Sequence, residues 1–200
     1  YVHLGIPTAE EKKEWFNRWE KELPDEGKLV LFDRSWYTRA LTEPTLGYCT
    51  KSQYEDFMNN VNKWEDRLIK NGLEVVKFYF SIDKDQQKRR LSARKHSKLK
   101  YWKLSDSDKR MVNKWDVFTL YKNQMFYVTA RSNSPWVVIN ANNKMIARLS
   151  ALRYILNTID YEHKKILEPP KWGEDLGQYS CYIEGVLFDN LTYEQYKILA

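Results

Sequence analysis

The sequence predicts an α/β protein, with a three-layer architecture in which helices cover both faces of a parallel sheet. Three apolar runs carry this prediction, at residues 29–33, 73–82 and 134–140, and helical patterns separate them. An apolar run of this length without a polar face is typical of a strand that is covered on both sides. A strand, a long helix and a second strand in succession indicate a right-handed crossover, and therefore parallel pairing.

Capping residues predict where the helices begin and end. Thr8 and Glu11 form a capping box that begins the first helix. Thr50 and Gly72 bound a long helix, and Ser105 begins the second helix of a hairpin. We therefore predict strands over 1–5, 29–33, 73–82 and 134–140 and helices over about 9–22, 51–71, 84–96, 106–130 and 142–160, followed by a tail over 168–200.

Composition narrows the class of protein and its partners. The 200 residues are 42% hydrophobic and 30% charged, as in a folded globular protein. No run reaches the ~20 apolar residues of a membrane span, and the first residues lack the order of a signal peptide. We therefore expect a cytoplasmic protein with no membrane partner. A net charge of +6 favours an anionic partner. Cys49 and Cys181 lack metal-ligand spacing, so neither a disulfide nor a zinc site is expected.

Positive charge is concentrated in the predicted helical hairpin. Residues 83–116 contain twelve basic and five acidic side chains, an excess of seven that is larger than the net charge of the whole chain. Such a run is usually a solvated face. Here it is interleaved with Tyr101 and Trp102 and follows a strand end, which favours a lid that folds over a polyanion. Arg is suited to bidentate phosphate contacts, and Lys supplies a point charge to the same groups.

Asp33 is the candidate metal ligand. It follows an apolar run directly, and the carboxyl ends of parallel strands form the edge where α/β proteins bind ligands. An acid at this place commonly serves the Mg²⁺ of a bound nucleotide. The alternative is structural, with Asp33 and Ser35 capping the next turn of helix.

Several ordered motifs resemble the type 2 polyphosphate kinases and extend over residues 1 to about 161. The resemblance rests on Phe32-Asp33-Arg34-Ser35-Trp36-Tyr37 with Arg39 and Glu43, Gly47-Tyr48-Cys49-Thr50, Lys77-Phe78, Gln87 with Arg90 and Arg94, Lys100-Tyr101-Trp102-Lys103-Leu104-Ser105 with Asp108, Trp115-Asp116, Pro135-Trp136-Val137, and Asn143-Lys144 with Ala147-Arg148-Leu149.

The resemblance implies a phosphate-loop kinase fold that moves a phosphoryl group between inorganic polyphosphate and a nucleotide, most similar to members that act on nucleoside diphosphates. It implies Mg²⁺ as the cofactor, which Mn²⁺ could replace. It also implies a homo-oligomer and no nucleic-acid partner. The residues that it implicates are Asp33 as Mg²⁺ ligand, Arg34, Arg39 and Glu43 at the mouth of the catalytic site, and Arg90, Arg94, Lys100, Lys103, Lys144 and Arg148 as contacts to phosphates.

The chain also departs from the family pattern. Thr38, Lys98 and Asn142 stand where similar members carry Asn, Pro and an acid. No Gly-rich phosphate loop of the form G-x-x-x-x-G-K-[ST] occurs in the 200 residues. The family places that loop upstream of the strand that begins at Tyr1, so we expect a catalytic domain over 1–167 without its first strand, with a lid over about 84–130. A fragment, a truncated reading frame or a split protein would each explain this.

Two other functions remain open at this stage. Thymidylate-kinase-like enzymes share an Asp-Arg-Ser/Tyr element and an Arg-rich lid, so a nucleoside or nucleotide monophosphate kinase that uses ATP is one alternative. The other is a non-catalytic protein whose basic hairpin binds polyphosphate or nucleic acid.

Overall fold

The computed structural model describes residues 1–164, 179–183 and 186–191 of the chain. These residues form two compact units, each built from separate stretches of sequence. The first unit contains Tyr1–Glu74 and Ser97–Thr129, and the second contains Val75–His96 and the described residues from Ala130 onward. In the described part of the chain, no helix is both long enough and apolar enough to span a membrane.

The first unit is mainly helical. Its long helix follows a capping box in which Thr50 accepts from the backbone of Gln53 and the Gln53 side chain accepts from the backbone of Thr50. Its α-helices are α1 (Ala9–Lys13), α2 (Asn17–Glu20), α3 (Thr42–Leu46), α4 (Lys51–Lys70), α6 (Asp106–Met111) and α7 (Trp115–Thr129), with 3₁₀ turns at Trp36–Arg39, Tyr101–Lys103 and Val112–Lys114.

An aromatic cluster forms the core of the first unit. Trp36 is 6% exposed, and its ring centroid lies 4.9 Å from that of Trp64. The Trp36 indole N–H donates to Glu65 Oε1 at 3.0 Å, and the Trp15 indole N–H donates to the Trp36 carbonyl at 2.9 Å. Phe57 packs on the other side of the cluster, 5.5 Å from Phe16. Because each buried indole N–H named here has an acceptor, the rings are fixed in position as well as buried.

Two strand predictions in the first unit are wrong as stated. Residues 1–5 and 29–33 meet in a single parallel bridge, Val2↔Phe32, and neither stretch forms a regular strand. Leu29 and Leu31 are 62% and 49% exposed, so the run after Lys28 is not covered on both sides. The physical reason is pairing, because a strand becomes regular through partners on its flanks, and here the described residues supply one bridge on one flank.

The second unit contains the sheet. Its strands are β1 (Lys77–Ser81), β2 (Trp136–Asn140), β3 (Tyr179–Ile183) and β4 (Val186–Leu191), in the order β1-β2-β4-β3. The pairs β1–β2 and β2–β4 are parallel, and β3–β4 is antiparallel. The α/β prediction is thus confirmed, with a mixed sheet. The helices among the described residues of this unit are α5 (Lys84–His96) and α8 (Lys144–Thr158).

The core of the second unit lies between β2, β4 and α8. Val137 and Ile139 are fully buried and pack with Ala147 of α8 and Leu187 of β4. The strands β3 and β4 fall within the segment predicted to be a tail that packs on the rest of the chain or contacts a partner, and β4 pairs with β2. The strand β4 begins with Val186, Leu187 and Phe188, residue types that favour strands, so it has a local signal as well as a partner in β2. The other residues of 168–200 lie outside the described part.

Two helices predicted as continuous are interrupted. The first, over 9–22, is divided into α1 and α2 at Glu14, whose backbone leaves the helical region at φ −110° and ψ 64°. The second, over 106–130, is divided by the 3₁₀ turn at Val112–Lys114. In the first case the break places Trp15 and Trp19 edge to face, with ring centroids 6.2 Å apart, so tertiary packing overrides the local helical signal.

The aromatic cluster predicts where the first unit is most sensitive to substitution. Phe57 is 1% exposed, so Phe57→Ala should lower the free energy of unfolding by about 3–5 kcal/mol through lost burial and a residual cavity. Urea unfolding followed by tryptophan fluorescence measures the change. Leu120→Ala is the control, since Leu120 is 71% exposed in the same unit and should change stability by less than about 0.5 kcal/mol. Equal effects of the two variants would contradict this packing.

Candidate active site

Asp33 lies at the exposed end of the bridged pair. Its backbone N–H donates to the Val2 carbonyl at 2.9 Å, and its carboxylate accepts from the Tyr1 hydroxyl at 2.6 Å. His3 Nδ1 lies 3.8 Å from the same carboxylate oxygen. The hydrogen bond to Asp33 raises the pKa of Tyr1, which keeps the phenol protonated as a donor.

The surroundings of Asp33 fit a metal that takes most of its ligands from elsewhere. In residues 1–164, 179–183 and 186–191, no group of three or more His, Cys, Asp and Glu side chains could hold a metal ion. Mg²⁺ is commonly bound through one or two carboxylates together with water and substrate phosphates. An exposed Asp33 with one phenol donor matches that pattern as a single protein ligand.

Arg34 has an uncommon backbone conformation. Its φ is +65°, in the left-handed region that costs a non-glycine residue roughly 1–2 kcal/mol. The side chain is exposed, and the buried turn at Trp36–Arg39 follows directly. Ser35 caps that turn by accepting from the Tyr37 N–H at 3.4 Å, as the structural interpretation of this motif predicts. The turn holds Asp33 and Arg34 outside the core as an adjacent acid and base.

Arg39 and Glu43 lie inside the first unit and not at an open mouth. Their side chains are 2% and 5% exposed, and Arg39 Nε lies 2.7 Å from Glu43 Oε2. Neither atom is aligned for a hydrogen bond, so the contact is between charges. The Arg39 guanidinium also lies 4.0 Å from the centre of the Trp15 ring. Their predicted position at the mouth is therefore corrected, while their part in catalysis stays a prediction.

Burial affects the charge of Glu43. Removal from water raises the pKa of Glu43, and the positive charges of Arg39, Lys12 and Arg18 oppose this shift without cancelling it.

In the second unit, Arg90 holds the backbone that follows β2. Its Nη2 donates to the Ala141 carbonyl at 2.5 Å and to the Asn142 carbonyl at 3.0 Å. Asn142 in turn donates from its side chain to Asp83 Oδ2 at 2.7 Å and accepts from the Asp83 backbone N–H at 3.1 Å. An acid at position 142 would face Asp83 with like charge, so the amide is the side chain that can satisfy both contacts.

The remaining predicted cations are distributed over both units. Lys100 and Lys103 are exposed in the first unit, where Lys103 Nζ lies 5.0 Å from the centre of the Trp102 ring. In the second unit, Lys144 and Arg148 are exposed on one face of α8, one turn apart, and Arg94 is half-buried near the end of α5. The first unit therefore holds Asp33, Arg34, Arg39, Glu43, Lys100 and Lys103, and the second holds Arg90, Arg94, Lys144 and Arg148.

Sequence reasoning missed the immediate partners of the candidate residues. Nothing in the spacing of Tyr1, His3 and Asp33 shows that their side chains meet, because the contact depends on the Val2↔Phe32 bridge. The Asn142–Asp83 contact was missed for the same reason, although both residues follow predicted strands and parallel strand ends share one edge. That shared edge is the signal that would have identified the pair.

The raised pKa of Glu43 predicts how stability depends on pH. Above its ordinary value of 4.5, the folded state retains a proton that the unfolded state has lost, so stability falls as pH rises through the folded pKa. Glu43→Gln removes this titration, so the stability of the wild type relative to that variant should decrease as the pH rises above 4.5. Urea unfolding at several pH values measures the difference. A difference that is constant or rises with pH would contradict the burial effect.

The sequence of this chain matches one family model and several characterised relatives. The family model described as Polyphosphate kinase 2 matches residues 2–166. The chain is 42% identical over 164 residues to NDP-polyphosphate phosphotransferase 2 of Ruegeria pomeroyi, covering 82% of this chain and 48% of that protein. It is 40% identical over 164 residues to GDP-polyphosphate phosphotransferase of Mycolicibacterium smegmatis, covering 82% of this chain and 58% of that protein.

A solved structure agrees with the sequence relatives. The crystal structure of polyphosphate kinase 2 from Arthrobacter aurescens superposes with a TM-score of 0.71 at 30% identity, over 86% of this chain and 61% of that chain. The chain spans about half the length of the two relatives named above. The family match extends from the Val2↔Phe32 bridge through Asp33, the basic helices and α8. On these grounds, the chain belongs to the polyphosphate kinase 2 family.

Proposed function

We propose that this chain is the part of a phosphotransferase that moves a phosphoryl group between inorganic polyphosphate and a nucleotide. The observation that carries the proposal is the family match over residues 2–166, which includes both the exposed Asp33 and the cations of the basic helices. Two relatives named above are NDP- and GDP-polyphosphate phosphotransferases, which supports a nucleoside diphosphate as the nucleotide that accepts the phosphoryl group.

The proposed mechanism is in-line transfer without a protein nucleophile. Such transfer depends on positioning and on neutralising charge at the phosphate oxygens. Asp33 supplies a carboxylate to Mg²⁺, with Mn²⁺ as the substitute, and Arg34 contacts a phosphate beside it. When bound, the metal neutralises phosphate charge. Lys100 and Lys103 in the first unit, and Arg90, Arg94, Lys144 and Arg148 in the second, contact phosphates of polyphosphate or nucleotide.

Arg39 and Glu43 support the site from within. Their buried contact lies between α1 and the segment that follows Asp33, since Arg39 also donates to the Lys12 carbonyl at 3.3 Å. We assign them to holding the turn that presents Asp33 and Arg34. This assignment replaces their predicted position at the mouth of the catalytic site.

We also propose a homo-oligomer. Four apolar side chains on α8, spaced by four, three and four residues, are exposed in this chain. A stripe of this kind is typical of a helix that packs against another protein surface. Its members are Met145, Leu149, Leu152 and Leu156.

The role of Asp33 is tested by replacing its carboxylate with the amide of asparagine. Asp33→Asn removes the charge that binds the metal, and we expect formation of nucleoside triphosphate from diphosphate and polyphosphate to fall by at least about 100-fold. The assay is made on this chain and on the chain joined to the phosphate-loop segment of a relative, because the 200 residues contain no such loop. Asp25→Asn is the control, since Asp25 is exposed and pairs with Lys28 at 2.5 Å.

The same assay separates the alternatives. If neither form makes triphosphate from polyphosphate, the proposed activity is wrong. Turnover with ATP as the only donor would indicate a monophosphate kinase. Binding of polyphosphate without turnover in both forms would indicate a non-catalytic binder.

Salt dependence tests the contribution of the lysines. Replacing Lys98, Lys100 and Lys103 by Met should make the slope of log affinity for polyphosphate against log salt concentration shallower by about 2, since each phosphate contact contributes about 0.7 on a flexible polyanion. Titration calorimetry at several salt concentrations measures the slope. The matched control replaces three exposed lysines of α4 (Lys51, Lys63 and Lys70), which changes the net charge equally and should leave the slope unchanged. Equal slopes for both variants would contradict a specific role.

A further inference from the structure

The segment that carries the exposed lysines is held to the first unit by few apolar contacts. We call residues 97–110 the basic segment, because Lys98, Lys100 and Lys103 lie in it. No residue of the turn at Tyr101–Lys103, of α6 or of the turn at Val112–Lys114 is fully buried. Leu99 and Trp102 are 83% and 69% exposed. Polar contacts to the rest of the unit therefore have an unusually large part in fixing where this segment lies.

Arg110 makes the most extensive of the polar contacts recorded for α6. Its Nη2 donates to the Leu46 carbonyl at 2.6 Å, and its Nη1 donates to the Tyr48 hydroxyl at 3.2 Å. The guanidinium carbon also lies 5.2 Å from the centre of the Tyr48 ring. The Tyr48 hydroxyl lies 2.9 Å from Ser107 Oγ, one helical turn before Arg110. Two residues of α6 thus converge on Tyr48.

The turn that receives Arg110 is itself well fixed. Gly47 ends α3 in the left-handed conformation, with φ +73°, and its N–H donates to carbonyls of Glu43 and Pro44. The Tyr48 N–H donates to the Glu43 carbonyl at 2.8 Å. Leu46 is 3% exposed, and Glu43 is the buried partner of Arg39. The basic segment is therefore anchored to the same buried group that supports the Asp33 turn.

From these contacts we infer that Arg110 and Tyr48 are positioning residues, which tie the basic segment to the end of α3 and so place Lys98, Lys100 and Lys103 for polyphosphate. The inference rests on the proposed function for its ligand, but the anchoring itself does not. Neither residue is assigned a contact with substrate. Without the anchor, the three lysines keep their charge and lose their fixed position, so polyphosphate has to order the segment when it binds.

Three variants separate positioning from charge. Arg110→Met removes the anchor and one positive charge. Lys109→Met removes the same charge from the same helix without touching the anchor, because Lys109 pairs only with Asp106, at 2.8 Å, among its recorded contacts. Tyr48→Phe changes no charge and keeps the ring under Arg110, but removes the hydroxyl that contacts Arg110 and Ser107.

The first measurement requires no ligand. Limited trypsin digestion of the full chain, followed by mass spectrometry, gives the rate of cleavage after Lys98, Lys100 and Lys103. We expect the rate to rise about tenfold in Arg110→Met and about threefold in Tyr48→Phe, and to stay unchanged in Lys109→Met. Thermal unfolding by circular dichroism should remain cooperative in all three variants, with the largest fall in midpoint, about 5 °C, in Arg110→Met. Equal cleavage rates for the wild type and Arg110→Met would overturn the anchoring.

The second measurement is the affinity for polyphosphate by titration calorimetry. We expect about tenfold weaker binding in Arg110→Met, about threefold in Tyr48→Phe and about twofold in Lys109→Met. Weakening by Arg110→Met without any change in Tyr48→Phe would mean that Arg110 contacts phosphate itself, and would overturn a positioning role. Failure of the wild type to bind polyphosphate would overturn the proposed function, while the trypsin rates would still decide whether the anchor exists.

Discussion

The burial of Trp36 is the constraint on which the first unit depends. Its ring is in contact range of Trp19, Phe32, Tyr37 and Trp64, its N–H donates to the fully buried Glu65, and its carbonyl accepts from Trp15. Because Trp36 stands three residues after Asp33, fixing the indole in the core forces the chain to turn sharply between them. The left-handed backbone of Arg34 is that turn. The exposed acid and base are thus a consequence of how the core is packed.

The buried Arg39–Glu43 contact continues the same support away from the surface. A charge pair removed from water is a poor source of stability by itself, since desolvation offsets the attraction. The contact instead fixes the positions of neighbouring segments. Arg39 donates to a carbonyl of α1, and the Glu43 carbonyl accepts from the Tyr48 N–H. The turn with Asp33 and the turn that receives Arg110 are therefore linked through residues of one short stretch. Removing either charge would leave the other buried without its counter-charge.

Sequence reasoning was most successful where a local signal was strong. The long helix α4, the cap residues Thr8, Thr50 and Ser105, and the apolar strands β1 and β2 all appear close to where they were predicted. It was less successful where an element depends on a distant partner. The apolar run before Asp33 forms one bridge instead of a strand, and the partner of β2 is β4, which begins fifty positions further along the chain. Of the candidate site, the residue types were predictable, while the burial of Arg39 and Glu43 was not.

The sequence alone determined the family, the α/β class and the residue types of the candidate site, because motif residues, apolar runs and local charge are properties of neighbours along the chain. Tertiary structure decided which of those residues are exposed and what each contacts. Asp33 is exposed beside Tyr1 and His3, Arg39 is enclosed under Trp15, and Arg110 reaches the end of α3 across more than sixty positions of sequence. Such contacts form only when segments distant in sequence pack together, so the spacing of residues along the chain does not predict them.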